Sequence, residues 1–375
     1  MKKRTLAILL VLALCLSLMA ACAKQAAPAN TDPAPAQTQE TETTPEPEKT
    51  EEPEQTEEPE QTQEPEQTQE PETEPENTET VIVNVGAMKG PTAMGMVKMM
   101  SDDAASENPA YNFSISAAID EVTANIVQGS FDIAALPANL ASVLYNNTDG
   151  QVLALAVNTL GILYLAEKGD SIQSVEDLRG RTIYASGKGA TPEYALVYLL
   201  QQNGLDPETD LTIEWKSEHS ECVAALAAEE GAVALLPQPF LTTAMMKDES
   251  IHVVMDLTKE WEKLDNGATL LTGVTVVRKA FAEEHPDLVA KFLAEYSESI
   301  AYAQNDVDGA AALVGQYEIV PEPVAKKALP ACNIAFLAGD ELKTALSGYL
   351  QTLYDQNPKA VGGAMPGDDF YYQSK

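Results

Sequence analysis

The chain has 375 residues and a formal net charge of −35, from 23 Lys and Arg against 58 Asp and Glu. A surface this acidic repels phosphate backbones, because nucleic-acid binding needs clustered Lys and Arg, so nucleic acid is excluded as a partner. Four cysteines and three histidines, none grouped at metal-ligand spacing, point to neither a disulfide-built core nor a zinc site. A bridge between Cys222 and Cys332 is left open.

The charge is placed unevenly. Residues 1–22 hold Lys2, Lys3 and Arg4 and no acid, followed by an apolar run from Leu6 to Leu18. That is the layout of a secretion signal, and the run is short for a membrane span of about 20 residues. Leu18-Met19-Ala20-Ala21-Cys22 resembles a bacterial lipobox, with Cys22 as the lipid acceptor. The alternative is an ordinary signal peptide cut after Ala-x-Ala, with Cys22 incidental. Residues 23–79 carry 18 acids against Lys24 and Lys49, in near-repeats of Pro, Glu, Gln and Thr without an aromatic residue. So little apolar surface cannot offset the entropy of ordering, so this stretch is expected to be a disordered tether. It serves either as a spacer from a membrane or as a plain solvated linker.

From Thr80 the pattern becomes that of a folded domain. Short β-branched runs alternate with helical stretches: strands at 80–85, 112–117, 131–136, 152–157 and 162–166, with helices after the first three. The theme restarts with strands at 182–185, 211–215, 232–236 and 252–256 and the helices 192–203, 221–229 and 240–247 between them. A long strand at 270–277 follows, and after it only helices are expected, at 280–284, 287–305, 308–317, 323–329 and 340–357. Strand–helix alternation predicts an α/β fold with mostly parallel sheets. Two series joined by two long strands predict two lobes, residues 80–165 with 272–375 and residues 166–271, crossed twice by the chain at a hinge. In open α/β sheets ligands bind beyond the C-terminal strand ends, so facing lobes enclose a cleft.

Two segments pass from strand to helix with glycine and a hydroxyl. Met88-Lys89-Gly90-Pro91-Thr92 lies in the first lobe, and Gly187-Lys188-Gly189-Ala190-Thr191 in the second. Glycine permits close backbone approach, and the free N–H groups of a helix start attract acceptor groups. Leu136-Pro137-Ala138-Asn139 and Leu236-Pro237-Gln238-Pro239 occupy equivalent strand ends, with the Asn139 and Gln238 amides able to donate and accept. Thr159 is counted with them. A bare helix start or a rigid turn is the plainer reading of each segment. No Gly-x-Ser-x-Gly, His-Glu-x-x-His or Walker sequence is present. His219 reads as the cap of an exposed helix, and Trp215 and Trp261 as packing residues.

With these residues in view, the chain resembles the substrate-binding lipoproteins of the nitrate/sulfonate/taurine and thiamine-pyrimidine importer class. The resemblance rests on 85–92, Asp132-Ile133-Ala134-Ala135-Leu136-Pro137, 175–183, Leu235-Leu236-Pro237-Gln238-Pro239-Phe240 and 285–293. It implies the two-lobed type II periplasmic-binding-protein fold, with the ligand held between the lobes by Lys89–Thr92, Asn139, Gly187–Thr191 and Gln238. Many relatives carry Pro-Glu-Pro where this chain has Pro237-Gln238-Pro239, and no arginine sits in the candidate loops. A neutral or zwitterionic molecule therefore fits as well as a strong anion.

The resemblance also implies a monomeric extracytoplasmic solute-binding subunit of an ABC importer, anchored through Cys22 at the outer face of the cytoplasmic membrane. It would capture a sulfonate, a taurine-like or a pyrimidine-like molecule by hinge closure and deliver it to a membrane permease, with no cofactor and no metal. The competing readings are a pyrimidine-synthase-like enzyme on the same fold and a tethered surface sensor. A reactive histidine or lysine in the cleft would favour the enzyme.

Overall fold

A computed structural model describes residues 81–373, which carry all the elements below. The leader, the acidic tether and Cys22 lie outside the described residues. Two mixed sheets make up the core. The first has six strands in the order β11-β4-β10-β3-β1-β2: β1 (Val83–Met88), β2 (Tyr111–Ser116), β3 (Ile133–Pro137), β4 (Val152–Leu160), β10 (Leu271–Arg278) and β11 (Ile334–Ala338). The second has five in the order β7-β6-β8-β5-β9: β5 (Leu163–Lys168), β6 (Thr182–Ser186), β7 (Thr212–Lys216), β8 (Val233–Pro237) and β9 (Ile251–Asp256). The chain passes from the first sheet to the second between β4 and β5, and returns before β10.

Three expectations are corrected. The sheets are not mostly parallel: β1 pairs parallel with β2 and β3, but β10 runs antiparallel to both β3 and β4, and β5 antiparallel to both β8 and β9. Each strand that follows a crossing enters its sheet against the direction of its neighbours. And the C-terminal part is not all helix, because Ile334–Ala338 closes the edge of the six-stranded sheet against β4. The second sheet also takes the chain from Leu163, whose partner is Pro237, and so begins before residue 166.

Thirteen helices of this segment cover the sheets. Those used below are α1 (Pro91–Met94), α2 (Val97–Ala105), α3 (Ile119–Gln128), α4 (Ala138–Asn147), α5 (Thr191–Gln202), α6 (His219–Ala228), α7 (Phe240–Lys247) and α8 (Leu257–Glu262). The C-terminal set comprises α9 (Lys279–Glu284), α10 (Pro286–Asn305), α11 (Val307–Gln316), α12 (Glu322–Ala328) and α13 (Asp340–Gln356). No helix among the described residues is long and apolar enough to cross a membrane.

Period-two alternation fills both faces of each central strand. On β3, Ile133 and Ala135 join the cluster under α1, α2 and α10, whereas Ala134 and Leu136 join a second cluster on the opposite face. That second cluster also takes Leu163 and Leu165 of β5, Leu196 and Leu199 of α5, Trp261 of α8, and Leu346, Tyr349 and Leu353 of α13. One apolar core therefore bridges the two sheets. Trp261 is buried in it and donates from Nε1 to the Ala268 carbonyl at 2.8 Å, a packing role. Cys222 and Cys332 are both free thiols and both buried.

Asp132 pins the start of β3. Its carboxylate accepts from the Asn84 backbone N–H at 2.9 Å and pairs with the Arg278 guanidinium at 2.6 Å, tying β1, β3 and β10 together. Asp132 is only 5% exposed. Removing one partner of a buried pair strands the other and leaves donors unmet, at a cost of about 3 kcal/mol. Asp132→Ala is expected to lower the free energy of urea unfolding by that amount, read from a shift in midpoint at unchanged slope.

Candidate functional site

The loops at the C-terminal ends of β1, β3, β6 and β8 converge on one cavity between the sheets, with a volume of about 80 Å³. From the six-stranded sheet it is lined by Met88–Thr92 and Pro137, and by Thr159 and Thr272 at the two crossings. From the five-stranded sheet come Gly187, Thr191, Pro192, Pro237, Gln238, His219 and Phe240. Gly90 and Gly187 thus face the same space.

Local chemistry explains these turns. Gly90 has φ 141° and Gly187 φ 85°, both in the region that favours glycine. A Cβ on Gly187 would also meet Pro192 Cγ at 2.9 Å, so that loop tolerates no side chain there. Thr92 does not offer its hydroxyl freely, because Oγ1 donates back to the Met88 carbonyl at 2.6 Å. Gln238 presents its amide nitrogen. Its Oε1 accepts from Thr242 Oγ1 at 2.7 Å, while Nε2 has no hydrogen-bond partner among the described residues.

Nine of the eleven residues singled out in the sequence line this cavity: Met88, Lys89, Gly90, Pro91, Thr92, Thr159, Gly187, Thr191 and Gln238. Asn139 and Lys188 do not. Asn139 is fully buried and its amide is spent on protein, donating to the Ala360 carbonyl at 2.9 Å and the Gly189 carbonyl at 3.3 Å and accepting from Thr191 Oγ1 at 3.4 Å. Tyr349 Oη completes this clamp by donating to Thr191 Oγ1 at 3.2 Å. Lys188 is exposed and lines a separate outer groove with Glu193 and Gln356. The cavity therefore keeps Lys89 as its one cation.

His219 is the residue the sequence reading missed. It opens α6, yet it faces the cavity rather than solvent, stacked at 5.0 Å from the Phe240 ring. Its Nδ1 lies 2.5 Å from Ser186 Oγ, and Nε2 has no protein partner among the described residues. Loss of water around the ring pushes its pKa down to about 4, so it is neutral at physiological pH. The available signal was its position 18 residues before the Pro237-Gln238 turn on the next strand, which carries no directional information by itself.

Because this pKa is lower folded than unfolded, the neutral ring is free of cost above about pH 6.5. Stability is lost as pH falls from there through about 4, by up to about 3 kcal/mol. His219→Asn is expected to remove that part of the acid limb. Urea unfolding at pH 7.5 and pH 4.5 should show the wild type losing stability relative to the variant across the interval.

Comparison with known proteins agrees with this fold. A family model described as "ABC transporter, phosphonate, periplasmic substrate-binding protein" matches residues 109–317. No curated protein matches the chain. Among solved structures, an ABC transporter protein from Parabacteroides distasonis is 23% identical with a TM-score of 0.65, over 79% of this chain and 100% of that one. The periplasmic aliphatic sulphonate binding protein SsuA from Escherichia coli is 16% identical with a TM-score of 0.62, over 78% and 92% of the two chains. The alkanesulfonate-binding protein SsuA from Xanthomonas axonopodis pv. citri, bound to MOPS, is 16% identical with a TM-score of 0.61, over 76% and 95%. These neighbours share the two-lobed type II periplasmic-binding-protein fold. With its family model spanning more than half of its length, the chain belongs to the phosphonate-type periplasmic substrate-binding proteins of ABC transporters.

Proposed function

We propose that the protein captures a small organic sulfonate, simple or taurine-like, by closing its two lobes around it, and hands it to an ABC importer permease. The observation that carries this reading is the shared cavity, whose wall is built from strand-end loops of both sheets. Ligand bound there stabilises the closed arrangement of the lobes, which is the form a permease can distinguish from the open one.

Charge selects among ligands. One lysine and a neutral imidazole balance a single negative charge, while a second would be buried without compensation. A sulfonate, singly charged at neutral pH, suits this cavity better than a dianionic phosphonate. The Gln238 amide supplies a neutral donor for its oxygens. The leader and the Cys22 lipobox extend the reading to a lipid-anchored protein outside the cytoplasmic membrane, held off its surface by the acidic tether.

The Ser186–His219 contact invites a hydrolytic reading, and its details disfavour one. Ser186 is 2% exposed and does not line the cavity. A histidine with a pKa of about 4 is a weak general base at neutral pH, and no carboxylate among the described residues orients the ring.

Linkage gives the test. A saturating ligand at 100-fold its Kd adds about 2.7 kcal/mol to stability and should raise the melting temperature by several degrees. Short sulfonates, taurine, matched phosphonates and pyrimidines would be screened this way. The rise is expected for sulfonates and is expected to vanish in Gly187→Val, which fills the loop wall. A screen in which no member shifts the transition defeats the proposal.

A further inference from the structure

An oxyanion in the cavity needs donors, and the hydroxyls at its wall do not supply them. Thr92 Oγ1 donates to the Met88 carbonyl, Thr159 Oγ1 to Asn158 Oδ1 at 2.9 Å, Thr191 Oγ1 to Asn139 Oδ1 and Thr272 Oγ1 to the Leu160 carbonyl. Each of these hydrogens is spent on protein. The side-chain donors that remain are the Lys89 ammonium and the Gln238 amide nitrogen, with the His219 ring as an undecided third. A neutral imidazole donates from one nitrogen and accepts at the other. Its use to an anion depends on which nitrogen carries the hydrogen.

Ser186 bears on that choice. It ends β6 immediately before Gly187, is 2% exposed, and meets His219 Nδ1 with its Oγ without lining the cavity itself. Were Nδ1 the donor, the Ser186 hydrogen would need an acceptor of its own. The other group within reach is the Cys222 sulfur, a weak acceptor. A buried hydroxyl hydrogen without a partner carries its full desolvation cost. With Nδ1 as acceptor both atoms are met at once, and the thiol hydrogen is directed to the Glu218 carbonyl at 3.7 Å. That arrangement leaves the ring hydrogen on Nε2, which no protein group engages among the described residues. Phe240, with ring centres 5.0 Å apart and planes at 46°, packs against the imidazole and limits its rotation.

We propose that Ser186 is a positioning residue: by donating to His219 Nδ1 it holds the ring in the tautomer whose Nε2–H serves the cavity as a third side-chain donor. The inference rests on the proposed reading of the cavity as an oxyanion site. Together with Lys89 and Gln238, the ring gives one side-chain donor for each of the three oxygens of a sulfonate, and it does so without adding charge. Because Ser186 and Gly187 are neighbours at one strand end, β6 sets the glycine turn and the ring's hydrogen together.

The experiment reads the ring directly. In protein carrying nitrogen-labelled histidine, the ring shifts in nuclear magnetic resonance identify the protonated nitrogen, and His219 is assigned by the signals lost in His219→Gln. The ligand-free wild type is expected to show the Nε2–H tautomer, and Ser186→Ala to give a mixture of the two. Calorimetric titration with methanesulfonate should show Ser186→Ala binding about tenfold more weakly, the scale of one charge-assisted hydrogen bond. Ser186→Thr keeps the hydroxyl and should restore both readouts. A hydrogen on Nδ1 in the wild type overturns the inference and leaves the function intact. So does a Ser186→Ala protein that binds as the wild type does, or one that binds more weakly with its tautomer unchanged, which is a packing effect. If methanesulfonate does not bind the wild type, the sulfonate reading fails first and the donor role of the ring falls with it.

Discussion

The arrangement of the whole cleft depends on an apolar contact between its halves, the packing of α13 against α5 and α8. Tyr349 lies 5.8 Å from the Trp261 ring, which in turn lies 4.8 Å from Tyr198, and Leu346, Leu350 and Leu353 belong to the same cluster as Leu196 and Leu199. Separating these faces would return several large side chains to water, at about 25 cal/mol per Å² exposed. Motion on that side is therefore costly. Opposite it, α7 packs against α12 and, with the 315–321 turn, borders a chamber.

The electrostatics of the molecule work against its proposed ligand at long range. The chain carries a net charge of −35, and no arginine reaches the cavity. Steering of an anion by the overall field is thus unfavourable, although charges beyond about 8 Å are screened at physiological ionic strength. Recognition has to come from short-range terms: Lys89 at the cavity wall, the Gln238 amide held by Thr242, and backbone donors at the glycine turns. Such a site trades association rate for discrimination, since donors with fixed directions reject a ligand that cannot meet them.

The sequence carried the pattern that sets the layers and the loops, but not the directions that decide partners. The β-branched runs and the turn glycines located ten of the eleven strands and the loops now found at the cavity. Strand β11 escaped because Ile334-Ala335-Phe336-Leu337-Ala338 has one β-branched residue and sits between helices, where an apolar run of five reads equally as a helix start. Helix α8 escaped because six residues span less than two turns, and its main signal is the Asp256 side chain accepting from the Thr258 and Lys259 N–H groups. Antiparallel entry after each crossing was invisible for the same reason that His219 was. Periodicity gives which face of an element is apolar, whereas the side of a cleft on which its end emerges is set by tertiary packing.

Asn139 shows how a residue can be chosen for sound chemical reasons and serve a different end. An amide at a strand end is a good reader of ligands, and the sequence offers no sign that its groups are already taken. The turn at Pro358–Val361, more than 200 residues later, supplies the Ala360 carbonyl that captures Nδ2, and Thr191 takes Oδ1. Through Thr191 and Gly189 the same amide fixes the start of α5 and the loop that bears Gly187. A buried amide with all its partners met is stiff, because loosening any one of them leaves a polar group unsatisfied in the core. Asn139 therefore shapes the candidate site at one remove, by fixing the loop that bears Gly187, and the C-terminal turn supports that loop without touching the cavity.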